Sequence, residues 1–275
     1  MAENEKLIGL ALEEDIGPGD VTTNALIEPD RAATGIIFAK EPFILAGLHV
    51  AEEVFTNLDP GMSFDTTFQD GDRVENRDEI LTVRGNCRAV LTGERTALNF
   101  LQRLSGISTL TRQYVDQVAG SKVRLTDTRK TTPGWRRLEK YAVKIGGADN
   151  HRFGLYDGVL IKDNHIMACG GIREAVDRIR NDQAHPLQIE VEVSDMNQVR
   201  QALESGVDII MLDNMKPNDI RKAVTLIDGR ALVEVSGGVT LETLVEAANT
   251  GVDIISIGAL THSARSVDIS MRVVV

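Results

Sequence analysis

The stretch QIEVEVSDMNQVRQALESGVDIIMLD (188–213) decides the predicted fold. Two short apolar runs, at 188–193 and 208–213, enclose an amphipathic segment at 195–205 that is typical of a helix. A strand, a helix and a second strand in this order form the unit that connects parallel strands. Because both runs are apolar without alternation, their strands are expected to be buried on both faces under helices. Gly206 is expected to end the helix in the left-handed conformation that glycine adopts at little cost.

The same alternation runs through the second half of the chain. The predicted strands are VRLTD (123–127), GVLIK (158–162), QIEVEV (188–193), DIIMLD (208–213), ALVEVSG (231–237) and DIISIG (253–258). The predicted helices are 137–146, 172–180, 195–205, 217–227 and 241–249, with Asn218 and Thr240 as caps near helix starts. GVDIIML (206–212) recurs as GVDIISI (251–257), where Gly251 repeats the role of Gly206. Six units indicate an incomplete barrel, and a doubly wound sheet is less favoured because no glycine-rich dinucleotide fingerprint follows the first strand.

The first hundred residues predict a mixed unit of helices and strands. Helices are expected at 4–14 and 49–58, and strands at 34–40, 43–46, 62–69 and 79–84. A longer helical pattern follows at 88–118, with Gly93 and Gly106 inside it. A glycine within a helix indicates either close packing or a break. We expect two helices that part near Ser105-Gly106.

Composition excludes several classes of protein. The chain has 275 residues, a net charge of -11 and 42% hydrophobic residues, which is ordinary for one large or two medium globular domains. The two cysteines, Cys87 and Cys169, form neither a metal-ligand spacing nor a disulfide framework, so a reduced, cytoplasmic protein is expected. The first fifteen residues do not read as a signal peptide and no run is long enough to span a membrane, so no membrane partner is expected.

One segment reverses the acidic charge. From Arg124 to His165 there are nine Lys or Arg residues against five acids, a local balance of +4. A basic island of this size suits an anionic small molecule better than nucleic acid, which needs a broad basic face. The cations of its connecting helix are expected mostly on the surface of that helix or in a subunit contact: Arg136, Arg137, Lys140 and Lys144.

Functional groups of α/β barrels lie at the carboxyl ends of the strands, and each predicted strand here ends in polar residues. The early strands supply cations: Arg129, Lys130, His151, Arg152 and Lys162. The middle strands supply carboxylates, Glu192 and Asp213, and Glu190 shares the face of Glu192. The late strands supply small residues that suit a phosphate, with a further donor beyond them: Ser236, Gly237, Gly238, Ser256, Gly258, Ala259 and His262. This order predicts a phosphorylated sugar with a pyrophosphate leaving group and an acidic co-substrate.

Longer motifs indicate a specific protein family. They are EEDIGPGDVTT (13–23), GERTALNFLQRLSGIST (93–109), DTRKTTPGWR (127–136), KYAVKIGGADNHRFGLYDGVLIKDNH (140–165), EVEV (190–193), IMLDN (210–214), VSGG (235–238) and IGALTHS (257–263). In these motifs the chain resembles quinolinate phosphoribosyltransferase, the carboxylating nicotinate-nucleotide pyrophosphorylase family. The resemblance implies an α/β protein with an N-terminal α/β sandwich domain and a C-terminal incomplete, open α/β barrel. The implied domains are 1–105, with the tail 265–275 packing back on it, and 106–264.

The resemblance also implies a reaction and roles. Quinolinate and phosphoribosyl pyrophosphate would give nicotinate mononucleotide, pyrophosphate and CO₂, with Mg²⁺ and no organic cofactor, for de novo NAD biosynthesis. The implied quinolinate-binding residues are Arg129, His151, Arg152, Lys162 and, from a neighbouring subunit, Arg95. Those for phosphoribosyl pyrophosphate are Lys130, Glu192, Asp213, Ser236, Gly237, Gly238, Ser256, Gly258, Ala259 and His262. Lys130, Lys162, Glu192 and Asp213 would be catalytic, and Glu192 and Asp213 would hold Mg²⁺ directly or through water. A homodimer with shared active sites is implied, alone or within a higher oligomer.

Four alternatives stay open at this point. A paralogue associated with molybdenum transport shares the DTRK-type motif, but LIKDNH (160–165) favours the transferase because it keeps a cation for a second carboxylate. A nicotinate phosphoribosyltransferase that does not decarboxylate is the second, and a catalytically dead phosphoribosyl-binding protein is the third. Lys162 as a Schiff-base lysine is the mechanistic rival.

Overall fold

The computed structural model describes residues 2–182 and 187–275, with side chains described from residue 4 onward. It divides into two compact units. The first unit comprises Met1–Arg112, Thr131–Gly147 and Thr261–Val275, and the second comprises Gln113–Lys130 and Ala148–Leu260. The predicted boundary between residues 105 and 106 stays a prediction. Within the described ranges, no helix combines the length and the apolar character needed to cross a membrane.

The first unit is built on an antiparallel sheet. Its strands are β1 (Ala32–Ala39), β3 (Ser63–Asp65), β5 (Glu79–Asn86) and β12 (Ile269–Val274), in the order β12-β1-β5-β3, and β2 (Phe43–Ile44) pairs separately with β4 (Arg73–Val74). Burial alternates along β1, which shows that one face packs on the core. β12 lies antiparallel to β1, with Ile37 opposite Met271. The predicted strand at 62–69 is mostly wrong, since only β3 forms there.

Five helices complete the main part of this unit. They are α1 (Ala2–Ile16), α2 (Val21–Leu26), α3 (Leu48–Leu58), α4 (Cys87–Gln117) and α5 (Arg136–Gly146). The predicted helices at 4–14 and 49–58 are confirmed as α1 and α3. α2 was not predicted, although Asp20 caps it by accepting a hydrogen bond from Thr23 N at 2.9 Å. Phe55, Phe100 and Leu104 are fully buried in the core of the unit.

The predicted break within 88–118 is wrong. α4 is one helix of 31 residues that passes through Ser105 and Gly106 without interruption. A Cβ at Gly106 would lie 2.0 Å from the backbone oxygen of Arg265. The glycine is therefore needed for close packing, which is the other meaning that a helical glycine can have.

The second unit contains a parallel sheet of six strands. They are β6 (Arg124–Thr126), β7 (Val159–Ile161), β8 (Ile189–Val193), β9 (Ile209–Asp213), β10 (Leu232–Ser236) and β11 (Ile254–Ser256), in the order β6-β11-β10-β9-β8-β7. All six predicted strands are confirmed. Because β6 and β7 are the two edges of the sheet, the barrel is open. The fold class is thus the predicted one, an N-terminal α/β sandwich with a C-terminal incomplete α/β barrel.

Helices follow the strands in the expected alternation. They are α6 (Asp163–Cys169), α7 (Ile172–Asp182), α8 (Met196–Glu204), α9 (Pro217–Ile227), α10 (Leu241–Ala248) and the short α11 (Ala259–His262). Thr240 caps α10 as predicted, whereas α9 starts at Pro217 behind Lys216, so the predicted cap at Asn218 is wrong. Gly206 and Gly251 have φ angles of 65° and 91°, which confirms their left-handed conformation.

Candidate active site

The register of the parallel sheet brings the predicted polar residues side by side. Glu192 pairs with Met211 across β8 and β9, and Ser236 pairs with both Asp213 and Ser256. Residues two apart on a strand point to the same face. Since all strands run in the same direction, the carboxyl-terminal residue of each lies at one edge of the open barrel.

A cavity of about 560 Å³ opens at this edge, and we call it the rim cavity. It is lined by Thr128, Arg129, Lys130, His151, Arg152, Leu160, Lys162, Glu192, Met211, Asp213, Asn214, Ser236, Gly237, Gly238 and Ser256. Most of the predicted site residues are among them. All of these residues belong to the second unit. Asn214 was not among the predicted site residues, although its place directly after a strand-end carboxylate was the signal that could have found it.

Four predicted site residues do not line the rim cavity: Arg95, Gly258, Ala259 and His262. Arg95 is exposed on α4 in the first unit. His262 also belongs to the first unit, where its Nδ1 lies 2.7 Å from Ser263 Oγ. Gly258 and Ala259 follow β11 in the second unit and are partly exposed. The roles given to all four stay predictions.

Lys162 and Glu192 form an ion pair within the rim cavity. Lys162 Nζ donates to Glu192 Oε2 at 2.9 Å, and the two side chains are 45% and 17% exposed. Lys162 is the last residue before α6, where its backbone N–H donates to His165 Nδ1 at 3.0 Å. The ammonium group is half in solvent, so an anionic ligand can reach it and compete with Glu192.

Asp213 and the turn after β10 share a second cluster. Asn214 Nδ2 donates to Asp213 Oδ2 at 2.8 Å, and Asn214 has a positive φ of 53°. Asn214 N also donates to Ser236 O at 3.0 Å, which ties the ends of β9 and β10 together. Gly237 and Gly238 have φ angles of 93° and 64°. A Cβ at Gly237 would lie 2.4 Å from Asn214 Oδ1, so only glycine leaves room for this arrangement.

Two arginines face the same cavity. Arg152 Nη1 donates to the carbonyl oxygen of Gly158 at 2.9 Å, which fixes one end of its guanidinium. Burial lowers the pKa of Arg152, the charge of Arg129 lowers it further, and the charge of Glu190 acts in the opposite direction. Two cations that repel each other in a cavity favour an anion with more than one charge between them.

The buried Asp127 holds the segment that carries one of these arginines. It lies directly after β6 and is fully buried. Its Oδ1 accepts from the backbone N–H of His151 at 2.8 Å, and its Oδ2 accepts from Asn150 Nδ2 at 2.9 Å. The carboxylate therefore sets the backbone position of His151, and Arg152 is the next residue.

Below the rim cavity, the barrel holds acidic side chains that were not among the predicted site residues. A second cavity, the interior cavity of about 470 Å³, is lined by Glu190, Glu234, His151 and Arg152 among others. Glu190 is 4% exposed and Glu234 is 1% exposed. The signal for Glu190 was its spacing of two residues from Glu192, while Glu234 lay within an otherwise apolar run.

The cations of the connecting helix were expected mostly on its surface or in a subunit contact, and Arg137 and Lys144 are exposed. Lys140 is the exception, because it is only 2% exposed. Its neighbour Glu139 is fully buried and pairs with Arg103 Nη2 at 2.8 Å. Both residues lie on the inner side of α5, whose strongly amphipathic sequence buries Leu138, Ala142 and Val143 as well.

The chain is similar to known proteins over nearly its whole length. The family models described as quinolinate phosphoribosyl transferase, C-terminal domain and N-terminal domain, match residues 107–272 and 20–105. The probable carboxylating nicotinate-nucleotide pyrophosphorylase of Bacillus subtilis is 45% identical over 98% of this chain and 93% of that protein. The decarboxylating quinolinate phosphoribosyltransferase 2 of Nicotiana glauca, a mitochondrial protein, is 42% identical over 98% of this chain and 82% of its own.

A solved structure extends the likeness to three dimensions. The nicotinate-nucleotide pyrophosphorylase of Francisella tularensis superposes with a TM-score of 0.95 at 40% identity, over 99% of this chain and 96% of that chain. These comparisons give no support to the paralogue associated with molybdenum transport. The family models together span nearly the whole chain, and the chain belongs to the quinolinate phosphoribosyltransferase family.

Proposed function

We propose that the rim cavity joins quinolinate to phosphoribosyl pyrophosphate and releases pyrophosphate and CO₂, leaving nicotinate mononucleotide for de novo NAD biosynthesis. The observation that carries the proposal is the composition of the cavity lining. Cations, two carboxylates and a glycine turn all line it. Each group matches one part of the two substrates. A non-decarboxylating phosphoribosyltransferase would need fewer cations, because its substrate carries a single carboxylate.

Quinolinate is a dianion, and the cavity offers it three cations. Arg129 and Arg152 lie close enough for their charges to affect each other, and Lys162 faces the same space. Arginine binds a carboxylate through two parallel hydrogen bonds, which fixes the orientation of the ring. Lys162 acts as a point charge and exchanges Glu192 for a carboxylate of the substrate. No Schiff base is needed in this reaction.

The sugar substrate meets the other wall. Departure of pyrophosphate leaves positive charge on the ribose, and Glu192 and Asp213 stabilise it electrostatically. Lys130 meets the pyrophosphate. Ser236, Gly237 and Gly238 hold the 5′-phosphate, because backbone N–H groups in a left-handed turn point toward an anion. Predicted contacts of this phosphate with Ser256, Gly258, Ala259 and His262 are part of the same proposal.

The same two carboxylates suit Mg²⁺. Mg²⁺ prefers oxygen ligands, keeps several waters and commonly takes one or two protein carboxylates together with substrate phosphates. Glu192 and Asp213 are both carboxylates and line the same cavity as the residues proposed for the phosphates, so the donor set fits. When bound, Mg²⁺ offsets the charge of the leaving group.

Decarboxylation then takes place on the nucleotide. The new bond makes the ring nitrogen positively charged, and this charge stabilises the electron pair that the breaking carbon–carboxylate bond leaves on the adjacent ring carbon. CO₂ departs and a proton takes up that electron pair, so that hydrogen replaces the carboxylate on the ring. No protein nucleophile takes part, and the arginines only keep the ring in place until the step is complete.

The proposal includes a homodimer in which Arg95 of one protomer reaches the rim cavity of its partner. Its support is that Arg95 is exposed on α4 and that its own unit is the one without the rim cavity. Larger assemblies of this dimer and a cytoplasmic location belong to the same proposal.

The direct test uses the purified protein with quinolinate, phosphoribosyl pyrophosphate and Mg²⁺. We expect release of CO₂ from carboxyl-labelled quinolinate together with formation of nicotinate mononucleotide. Nicotinate should be a poor replacement. Arg152→Lys should weaken the binding of quinolinate more than that of phosphoribosyl pyrophosphate, because a pair of parallel hydrogen bonds is replaced by a point charge. An absence of product at saturating substrate, or equal turnover of nicotinate, would contradict the assignment.

The shared site has its own test. Arg95→Ala and Lys162→Ala should each be inactive alone, and a mixture of the two after subunit exchange should regain up to about one intact site per mixed dimer. Arg221→Ala, on the exposed surface of α9, is the control and should stay active. If the mixture stays inactive while exchange is demonstrated, Arg95 does not act across a subunit boundary.

A further inference from the structure

Three side chains meet inside the open barrel, and two of them, Glu190 and Glu234, have no role in the proposed chemistry. Ligand atoms of His151, Glu190 and Glu234 all lie within 4.8 Å of one another. His151 Nε2 is 3.1 Å from Glu190 Oε2 and 3.6 Å from Glu234 Oε1. The two glutamate side chains are 6% and 1% exposed. Burial of two carboxylates is costly, so such a pair is expected to serve a purpose.

The hydrogen bonds of His151 define its tautomer. The backbone N–H of Arg152 donates to His151 Nδ1 at 2.9 Å. A backbone N–H can only donate, so Nδ1 carries no proton and the ring proton is on Nε2. Nε2–H then donates to Glu190 Oε2 at 3.1 Å. Both ring nitrogens are thus engaged by the protein, one with the residue that follows and one with the buried acid.

The second glutamate supports the first. Glu190 Oε1 and Glu234 Oε1 are buried, and neither has a hydrogen-bond partner among the described residues. Burial, followed by the charge of Glu190, raises the pKa of Glu234 to about 7. Near neutral pH, Glu234 is therefore partly protonated, and its protonated form adds no second negative charge beside the carboxylate of Glu190.

We infer that Glu190 and Glu234 are positioning residues for dicarboxylate binding, which hold His151 as the Nε2–H imidazole and thereby fix Arg152 at the rim cavity. The chain of contacts is continuous. Glu190 fixes the ring, the ring accepts from Arg152 N, and Arg152 Nη1 is anchored on Gly158 O at 2.9 Å. The role in substrate binding rests on the proposed function, while the tautomer does not.

A divalent cation is the competing occupant of this cluster. Separations of 3.1 and 3.6 Å between ligand atoms are also compatible with a metal about 2.1 Å from each. The local charge argues against it. Glu190 already interacts with the positive charge of Arg152, which is itself close to that of Arg129. A further double positive charge beside two arginines would be repelled.

The first experiment is on the substrate-free protein. A ¹⁵N-edited NMR spectrum at neutral pH should show His151 as a neutral ring with the proton on Nε2 and a slowly exchanging N–H signal. Glu190→Gln keeps an oxygen that accepts from Nε2–H and should keep the signal. Glu190→Ala should lose it. A wild-type ring that is doubly protonated, or protonated only on Nδ1, overturns the inference whatever the enzyme does with quinolinate.

The second experiment separates positioning from general damage. Glu190→Ala should raise the KM for quinolinate at least tenfold and change the KM for phosphoribosyl pyrophosphate by less than twofold. Glu190→Gln should keep the KM for quinolinate close to the wild-type value. Glu234→Ala should raise that KM about threefold. Ile254→Ala removes a buried side chain from the same interior cavity and should lower thermal stability without this split.

Two further results would overturn the inference. One is an equal rise in both KM values for Glu190→Ala, which would show a merely structural effect. The other is tight binding of one Mn²⁺ or Zn²⁺ per chain after treatment with EDTA, if that binding is lost in Glu190→Gln and Glu234→Gln. A wild-type protein that shows the expected tautomer but does not turn over quinolinate would refute the proposed function and leave the tautomer intact.

Discussion

Replacement of Gly106 by alanine should destabilise the protein although alanine favours helices. A Cβ at this position would lie 2.0 Å from the backbone oxygen of Arg265, and backbone cannot rotate away as a side chain can. Overpacking of this kind costs about 1–3 kcal/mol, and we take the upper end because the clash is with main chain. The higher helix propensity of alanine relative to glycine offsets up to about 1 kcal/mol of this cost. The net loss should be about 2 kcal/mol, or roughly 4–8 °C in Tm for a chain of this size.

Gly9 provides the matched control for this prediction. It lies within α1 with nothing inside 4 Å of its missing Cβ. Gly9→Ala is the same chemical change in a helix and should stabilise the protein by about 0.5–1 kcal/mol. Urea unfolding followed by circular dichroism measures both variants. If Gly106→Ala is as stable as the wild type, the close approach of α4 to the segment at Arg265 is refuted.

Three further predictions concern the barrel. Burial and the charge of Glu190 raise the pKa of Glu234 from 4.5 to about 7, so the stability that this group contributes is complete below about pH 4.5 and is lost as the pH rises through 7. At 1.36 kcal/mol per pKa unit, this loss of stability is about 3 kcal/mol. The free energy of unfolding of Glu234→Gln relative to wild type, measured in urea, should therefore rise by about that amount between pH 5 and pH 9. A difference that does not change with pH would refute the raised pKa. Glu192→Gln keeps its shape but loses the charge that stabilises the ribose cation, so kcat should fall about 100-fold in the CO₂-release assay, and a change confined to KM would argue against that role. Gly237→Ala would place a Cβ 2.4 Å from Asn214 Oδ1, so the KM for phosphoribosyl pyrophosphate should rise about tenfold while the KM for quinolinate stays the same. Gly229 has a similar positive φ but open space around it, so Gly229→Ala should leave both KM values unchanged.

The open barrel could be predicted from the sequence because its signals are local. Each strand is a short apolar run followed by an amphipathic segment, and the glycines at 206 and 251 end helices by their own backbone preference. Parallel strands place their carboxyl ends at one edge whatever the loops do. For that reason Lys162, Glu192, Asp213 and Ser236 could be assigned to one place without knowledge of their distances.

Features that depend on distant contacts could not be predicted in this way. The sequence around Gly106 allows a break or close packing, and only the position of Arg265 decides between them. The burial of Lys140 and Glu139 depends on what packs against α5. His151 lies outside regular structure, so nothing in its local sequence shows that its ring meets Glu190 and Glu234 from two different strands.

The cations of the rim cavity have two kinds of counter-charge, and this difference bears on how the cavity accepts a dianion. Glu192 neutralises Lys162 in a pair that is partly exposed to solvent, where exchange for a substrate carboxylate costs little. Glu190 lies behind Arg152, its side chain is only 6% exposed and it is held by His151, so a ligand in the rim cavity cannot displace it. A substrate carboxylate at Lys162 therefore replaces a negative charge, whereas one at Arg152 adds to the charge that is already there. The cluster can tolerate the added charge if Glu234 retains its proton, which links the buried acids to the binding of a doubly charged substrate.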